Sequence, residues 1–286
     1  MTTIATLIPL LPLLGFLSIL ILPHRPGTDR PGWIATAAVG GSFAATVVTF
    51  VGVLGHEGNT LSVSLFSWIS SGPLHVDAAL LIDPLSITMC LFVTGISTLI
   101  HLYSIGYMHG DPGYPRFFAL VSMFVFSMSM LVAASNFLLV YVFWEAVGLC
   151  SYLLVGFWYE KPSANAAAMK AFIVNRVGDL GFGLGIMLIF WTFGTVNLHG
   201  ENGVLELAYK SGELGIAGGT MTLIGTSTNL VVQGMVVKEA ARQKAAVAAG
   251  EVIPEKSRVA PLLMFTVSWV GVPAALIGGI YVVFAA

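Results

Sequence analysis

Six stretches of about twenty mostly apolar residues, at 3–22, 33–54, 79–103, 117–135, 137–158 and 172–193, constrain this chain more than anything else in it. A helical run of that length matches the hydrocarbon thickness of a bilayer, about 30 Å. The rest of the composition agrees. Apolar residues make up 57% of the chain and charged residues 9%, whereas soluble domains carry about 25% charge. Twelve Lys and Arg stand against fourteen Asp and Glu, a net charge of -2. So few charges exclude a soluble globular enzyme, a disordered chain and a nucleic-acid binder, which needs a basic face. The expected class is an all-α polytopic membrane protein. Pro9 and Pro12 interrupt the first span, which neighbouring helices can accommodate. With no basic n-region and no small-residue cleavage site, that span reads as retained rather than as a signal peptide. Cys90 and Cys150 sit far apart in apolar runs without a CxxC, so both read as packing residues.

Between the second and third spans, residues 55–78 alternate polar with β-branched and aromatic side chains, which predicts an extramembrane hairpin. Arg25 and Arg30 follow span one, Arg116 follows span three, and Lys161 and Lys170 follow span five. The loops after spans two and four carry no Lys or Arg. The positive-inside rule then puts the odd loops in the cytoplasm and the N-terminus outside. Residues 200–217 read as a linker, and 218–234 as an apolar but hydroxyl-rich segment. Residues 235–249 read as a surface helix, and 262–284 as one further transmembrane helix. The basic residues Lys238, Arg242, Lys244, Lys256 and Arg258 are cytoplasmic only if 216–236 crosses the membrane. A re-entrant path would leave them outside.

Charges inside the spans carry the candidate chemistry. Glu145 lies in the middle of the fifth, and an intramembrane charge costs about 2.5–3.5 kcal/mol on insertion scales. Arg176 and Asp179, three residues apart in the sixth, share a helix face. Lys170 is expected where that helix begins. A short loop makes spans five and six antiparallel neighbours, so a Glu–Arg–Asp cluster is geometrically reasonable. It reads as a proton relay, with neighbouring charges tuning the carboxylate, or as a static ion pair that fixes packing. Asp83, before Pro84, suits a helix N-cap as well as a transport role. His101 and His109 flank the end of span three, where an interfacial structural place outweighs proton exchange. The tryptophans, Trp144 among them, read as an aromatic belt. Gly178, Gly181, Gly183 and Gly185 lack the strand context of a nucleotide loop and read as helix-packing residues.

Longer strings carry a resemblance. DPLS at 83–86, HLYSIGYMHGDPGYPRFFAL at 101–120, the run at 135–182 and FGTVNL at 193–198 resemble the antiporter-like L-type subunit of proton-pumping NADH:quinone oxidoreductase, complex I. The likeness covers about residues 1–200. It implies a six-helix antiporter-like bundle fragment, ending after the sixth helix, in a bacterial inner membrane. It also implies that Glu145 is the family's essential glutamate, that Arg176 and Asp179 modulate it, and that Asp83 is the aspartate of the DPLS motif. Proton transfer would then involve Glu145, Asp179, Arg176, Lys170 and Asp83. The chain would hold no cofactor, with NADH, flavin, iron–sulfur clusters and quinone held by other subunits. Its partners would be the other membrane subunits, the lipid bilayer and protons.

Residues 218–286 resemble a fragment of a different family, the divalent-anion:sodium symporters, through GGTMTLIGTSTNLVVQG and the closing apolar run. That likeness implies Thr226, Ser227, Thr228 and Asn229 as ligands for sodium or an anion. The chain therefore reads as a chimera of 1–199, a junction at 200–217, and 218–286. The leading expectation is a membrane subunit contributing to proton translocation. The alternatives are a fragment of a sodium-coupled dicarboxylate transporter and a fusion that does neither.

Overall fold

The computed structural model describes residues 1–23, 27–54, 60–72, 74–200 and 203–211. In chain order the elements are α1 (Thr2–Ile21), α2 (Arg30–Leu54), β1 (Leu61–Ser71), β2 (Leu74–Ile82), α3 (Pro84–Tyr107), α4 (Tyr114–Val132), α5 (Phe137–Val155), α6 (Pro162–Phe193) and α7 (Val204–Ser211). The first six helices are each long and apolar enough to cross a membrane. The chain is a multi-pass membrane protein of the mostly helical class the composition predicts.

The six spans form a compact group and an edge. Helix α1 packs on α2 and α4, and α2 also packs on α3 and α4. Helix α5 leans on α4, and α6 follows on α5. Close approach of α1 and α2 depends on Gly15, where a Cβ would come within 2.7 Å of the Ala38 Cβ. Pro12 of α1 is accommodated at this α1–α2 contact. Pro12 has no N–H for the carbonyl of Ile8, four residues back. The Ser42 hydroxyl of α2 donates to that carbonyl at 2.5 Å, so the freed acceptor is satisfied from the next helix.

The hairpin pairs Leu61 with Ile82 and Ser71 with Leu74, antiparallel, with two register shifts. Its first described strand starts at Leu61, and the hairpin runs four residues past the expected range, to Ile82. Residues 79–82, assigned by hydropathy to the third span, are strand. Their carbonyls and amides are occupied on both edges: Leu81 N donates to Ala133 O at 2.7 Å and Ser135 N to Ala79 O at 3.2 Å. Helix α3 starts instead at Pro84, with Asp83 as N-cap. The segment after α6 closes the same end of the bundle, with Phe137 N donating to Val196 O at 2.9 Å and Leu198 N to Ser135 O at 3.0 Å. Asn136 sits at this junction, fully buried. Its Oδ1 caps α5 by accepting from Leu139 N at 2.8 Å, and its Nδ2 donates to Asp77 O at 2.8 Å.

Two further boundaries differ from the sequence reading. Helix α6 begins at Pro162, not near 172. The polar stretch PSANAAAMK is rich in alanine and continues the helix through its high intrinsic propensity. Part of the expected linker is the helix α7, whose Val204 and Ala208, four apart, are both fully buried. The expected hydroxyl-rich segment, surface helix and final span at 218–286 lie outside the described residues.

Candidate functional site

Helices α5 and α6 carry the charged cluster. Glu145 is the ninth of nineteen residues in α5, so its carboxylate stands near mid-span. Across from it, Arg176 Nη1 forms an ion pair with Glu145 Oε2. The same nitrogen lies 3.6 Å from Asp179 Oδ2, one turn further along α6. Asp179 is held from α5 as well: the indole Nε1–H of Trp144 donates to Asp179 Oδ1 at 2.7 Å. The Arg176 guanidinium also stacks over the ring of Phe172 at 4.6 Å, which in turn packs against Tyr152 of α5.

One cation thus serves two carboxylates. Side-chain exposure falls from 36% at Arg176 through 23% at Glu145 to 11% at Asp179. Asp179 is the anchored acid, fixed by an indole and a guanidinium. Glu145 has the guanidinium alone among the described residues. A proton taken up by Glu145 removes its charge and leaves Arg176 with Asp179. The guanidinium therefore has two carboxylate partners within reach.

The predicted residues divide accordingly. Glu145, Arg176 and Asp179 are brought together as their spacing and the short loop imply. Lys170 is not where it was expected: it lies inside α6, exposed, with no ion pair to a described residue. Helical geometry puts it about 9 Å along the axis from Arg176. Asp83 is remote in the chain and engaged locally. It accepts from Ser86 N at 2.6 Å, while Asp83 N donates to Ser86 Oγ at 2.8 Å, a complete capping box with Pro84 at the first helical position. Thr226, Ser227, Thr228 and Asn229 lie outside the described residues.

Sequence reasoning missed Trp144, which it placed in an interfacial belt. The indole sits in the middle of α5 and joins the charged cluster. Its signal was its position, next to Glu145 and far from either end of an apolar run. His101 was placed at the end of a span; it is buried to 1% exposure, six residues before α3 ends. Interfacial roles do hold at the other end of the bundle from the hairpin. There Arg116 donates to Phe157 O at 2.6 Å and stacks on Phe157 and Tyr159, and Lys161 lies over Trp158. Of the glycines read as packing residues, Gly183 faces the ring of Tyr141 at 3.5–3.7 Å, whereas Gly181 faces open space.

Two family models match parts of the chain. Residues 68–118 match the family described as NADH-Ubiquinone oxidoreductase (complex I), chain 5 N-terminus. Residues 134–241 match NADH:quinone oxidoreductase/Mrp antiporter, TM. NADH-quinone oxidoreductase subunit L of Mycobacterium tuberculosis is 46% identical over 193 residues, 66% of this chain and 30% of that protein. Subunit L of Escherichia coli K12 is 39% identical over 218 residues, 76% of this chain and 35% of that protein. NADH-ubiquinone oxidoreductase chain 5 of Allomyces macrogynus is 42% identical over 189 residues, 65% of this chain and 29% of that protein. The chain spans about a third of the length of these relatives. In fold it resembles a chain of the membrane-bound sulfane sulfur reductase, an archaeal respiratory membrane complex, with a TM-score of 0.63 at 19% identity. That likeness covers 78% of this chain and 43% of the other.

Proposed function

We propose that this chain contributes an antiporter-like membrane segment to a proton-translocating NADH:quinone oxidoreductase, with Glu145 as its protonatable group. The observation that carries this reading is the cluster itself: one guanidinium at mid-span shared between a loosely held and an anchored carboxylate. Intramembrane charges at such cost are retained where they move ions or protons. Arg176 sets the proton affinity of Glu145, and Asp179 holds Arg176 when Glu145 is neutral. Lys170, exposed on α6, is a second protonatable group facing out of the described bundle. Asp83 acts as a helix cap.

Redox chemistry then belongs to other subunits, which would hold NADH, flavin, iron–sulfur clusters and quinone. This chain's partners are those membrane subunits and the lipid around them. The basic loops favour an N-out orientation in a bacterial inner membrane. The deciding experiment replaces Glu145 with Gln in the assembled oxidoreductase and compares proton transfer with NADH oxidation. Loss of pumping with normal assembly supports the reading; full pumping by the variant refutes it.

Residues 218–286 carry a second, finer reading through the string GGTMTLIGTSTNLVVQG and the closing apolar run: a symporter-type segment in which Thr226, Ser227, Thr228 and Asn229 ligate sodium or a carboxylate. The division at 200–217 rests on the same residues, while the NADH:quinone oxidoreductase/Mrp antiporter match continues across it to residue 241. Sodium-dependent dicarboxylate uptake by the full chain, lost in Ser227→Ala and Asn229→Ala, is the result this reading requires. Absence of uptake in the unaltered chain overturns it.

A further inference from the structure

The seam between α5 and α6 is a ladder of four side-chain contacts in antiparallel order. Tyr152 packs on Phe172 with ring centroids 5.1 Å apart. Glu145 pairs with Arg176. Trp144 donates to Asp179. Tyr141 packs edge to face on Phe182 at 5.5 Å. On α6 these partners, Phe172, Arg176, Asp179 and Phe182, fall three or four residues apart, the spacing of one helical stripe. Aromatic pairs thus bracket the polar pairs at both ends of the seam.

Within the ladder each helix offers one donor and one acceptor. Helix α5 brings the indole N–H of Trp144 and the carboxylate of Glu145; α6 brings the guanidinium of Arg176 and the carboxylate of Asp179. The contacts run in one row, Glu145 to Arg176 to Asp179 to Trp144. The two oxygens of Asp179 are divided between its neighbours: Oδ1 accepts from the indole at 2.7 Å, and Oδ2 lies 3.6 Å from Arg176 Nη1. A carboxylate binds a guanidinium most strongly when both oxygens face it. Asp179 is held out of that arrangement because Oδ1 is turned to the indole. The indole is itself set by Phe182, 1% exposed, whose ring stands 6.2 Å away at 76°. A buried Trp N–H needs a partner, and here the partner is an acid that competes for the cation of Glu145.

We propose that Trp144 is a positioning residue for Glu145: by holding Oδ1 of Asp179 it keeps that acid from facing the guanidinium with both oxygens, and so leaves Arg176 on Glu145. The proposal rests on the reading of Glu145 as the protonatable group. The one N–H of the indole is spent on Asp179, so Trp144 acts through Asp179 and Arg176 and carries no proton itself. Without the indole, Oδ1 is freed, Asp179 takes the guanidinium two to two, and Glu145 loses the charge that governs its proton.

Two variants separate positioning from packing. Trp144→Phe keeps a six-membered ring against Phe182 and removes the donor. Trp144→His gives up much of that ring area but keeps a donor: imidazole Nε2 occupies the ring position of indole Nε1, and it bears hydrogen in the protonated ring and in one neutral tautomer. A packing role ranks Phe above His; a positioning role ranks His above Phe. The first experiment needs no pumping. The full chain in lipid bilayers, with 15N in arginine and 13C in the carboxyls of Asp and Glu, is read by solid-state NMR. The coupling from Arg176 Nη to the Glu145 carboxyl, identified by its loss in Arg176→Lys, should fall at least twofold in W144F, while the coupling to Asp179 rises; W144H should restore the pattern of the unaltered chain. A Glu145 coupling unchanged in W144F, or lost equally in both variants, refutes the proposal. In the assembled oxidoreductase W144F should translocate at least twofold fewer protons per NADH oxidised, with W144H closer to the unaltered ratio. The reverse rank, alongside a lost ratio in Glu145→Gln, overturns the role in proton transfer. If Glu145→Gln pumps fully, the broader reading of Glu145 fails, and the NMR couplings still decide whether the indole places Arg176.

Discussion

Removing Arg176 and removing Glu145 should have opposite ranks in stability and in function. The cluster holds two carboxylates and one guanidinium, a net charge of -1 when all are ionised. Arg176→Ala leaves two carboxylates in adjacent spans without a cation, and Asp179 keeps only the Trp144 indole. A stranded intramembrane carboxylate costs about 2.5–3.5 kcal/mol, and breaking a buried pair about 3–5 kcal/mol. Because Glu145 is 23% and Arg176 36% exposed, the lower end applies, about 3 kcal/mol. Glu145→Gln leaves Arg176 with Asp179 at 3.6 Å, so the cluster becomes neutral and the loss is about 1 kcal/mol, that of an ordinary hydrogen bond. The difference, about 2 kcal/mol, is roughly thirtyfold in the folded-to-unfolded ratio. Thermal unfolding of the purified protein in lipid nanodiscs reads the order directly: unaltered chain, then E145Q, then R176A as the least stable. The double variant R176A/E145Q should recover part of the loss, since it removes one of the stranded charges. Equal stability of R176A and E145Q, or a double variant worse than R176A, would sink the account of one cation shared by two acids.

Three smaller perturbations follow from single contacts. Trp144→Phe removes the indole donor to Asp179 but keeps an aromatic ring beside Phe182; hydrogen bonds to charged groups are worth about 1.5–3 kcal/mol, so unfolding in nanodiscs should show a loss of about 2 kcal/mol, and no loss would mean that the indole does not anchor the acid. Asp83→Ala removes the cap of α3, worth about 1 kcal/mol, and should leave proton translocation intact; a pumping defect at normal abundance would return Asp83 to the transport path. Asn136→Ala uncaps α5 and frees the Asp77 carbonyl, so it should cost about 2–3 kcal/mol, read as reduced abundance of the chain in membranes.

What could be read beforehand followed the range of each signal. The six spans were legible because hydrophobicity over twenty residues reports the solvent directly. Their ends were not, where another structure competed for the same apolar residues. Residues 79–82 look like the start of a span, yet the loop at 133–135 offers their backbone a strand partner. Likewise the alanines before residue 170 extend α6 by about ten residues past the hydropathy edge and carry Lys170 into the helix. Arg176 and Asp179 share a face by spacing alone, and a short loop brings Glu145 to them. Trp144 was opaque for the opposite reason. Its indole has an apolar body and one donor, so at an interface and at a buried carboxylate it satisfies the same chemistry. Only the neighbouring helix distinguishes the two.

The same ambiguity explains why His101 and Glu145 read so differently from sequence. A carboxylate in an apolar run advertises itself, because its charge demands a partner wherever the helix ends. A histidine does not, since a neutral ring is content at an interface, in a core or beside a hydroxyl. What separates these cases is the state of the hydroxyls around it, and that depends on four helices at once. In the bundle of α1 to α4, Thr46, Thr49, Thr94 and Ser129 are closed on their own carbonyls, while Ser104 and Tyr114 are open. Beside them, His101 Nε2 faces the Ser122 hydroxyl at 3.4 Å. At α5 and α6 two acids are unequally anchored around Arg176. The exposed apolar face of α6, through Val177, Leu180, Leu184 and Met187, lets the second arrangement meet lipid or a further helix.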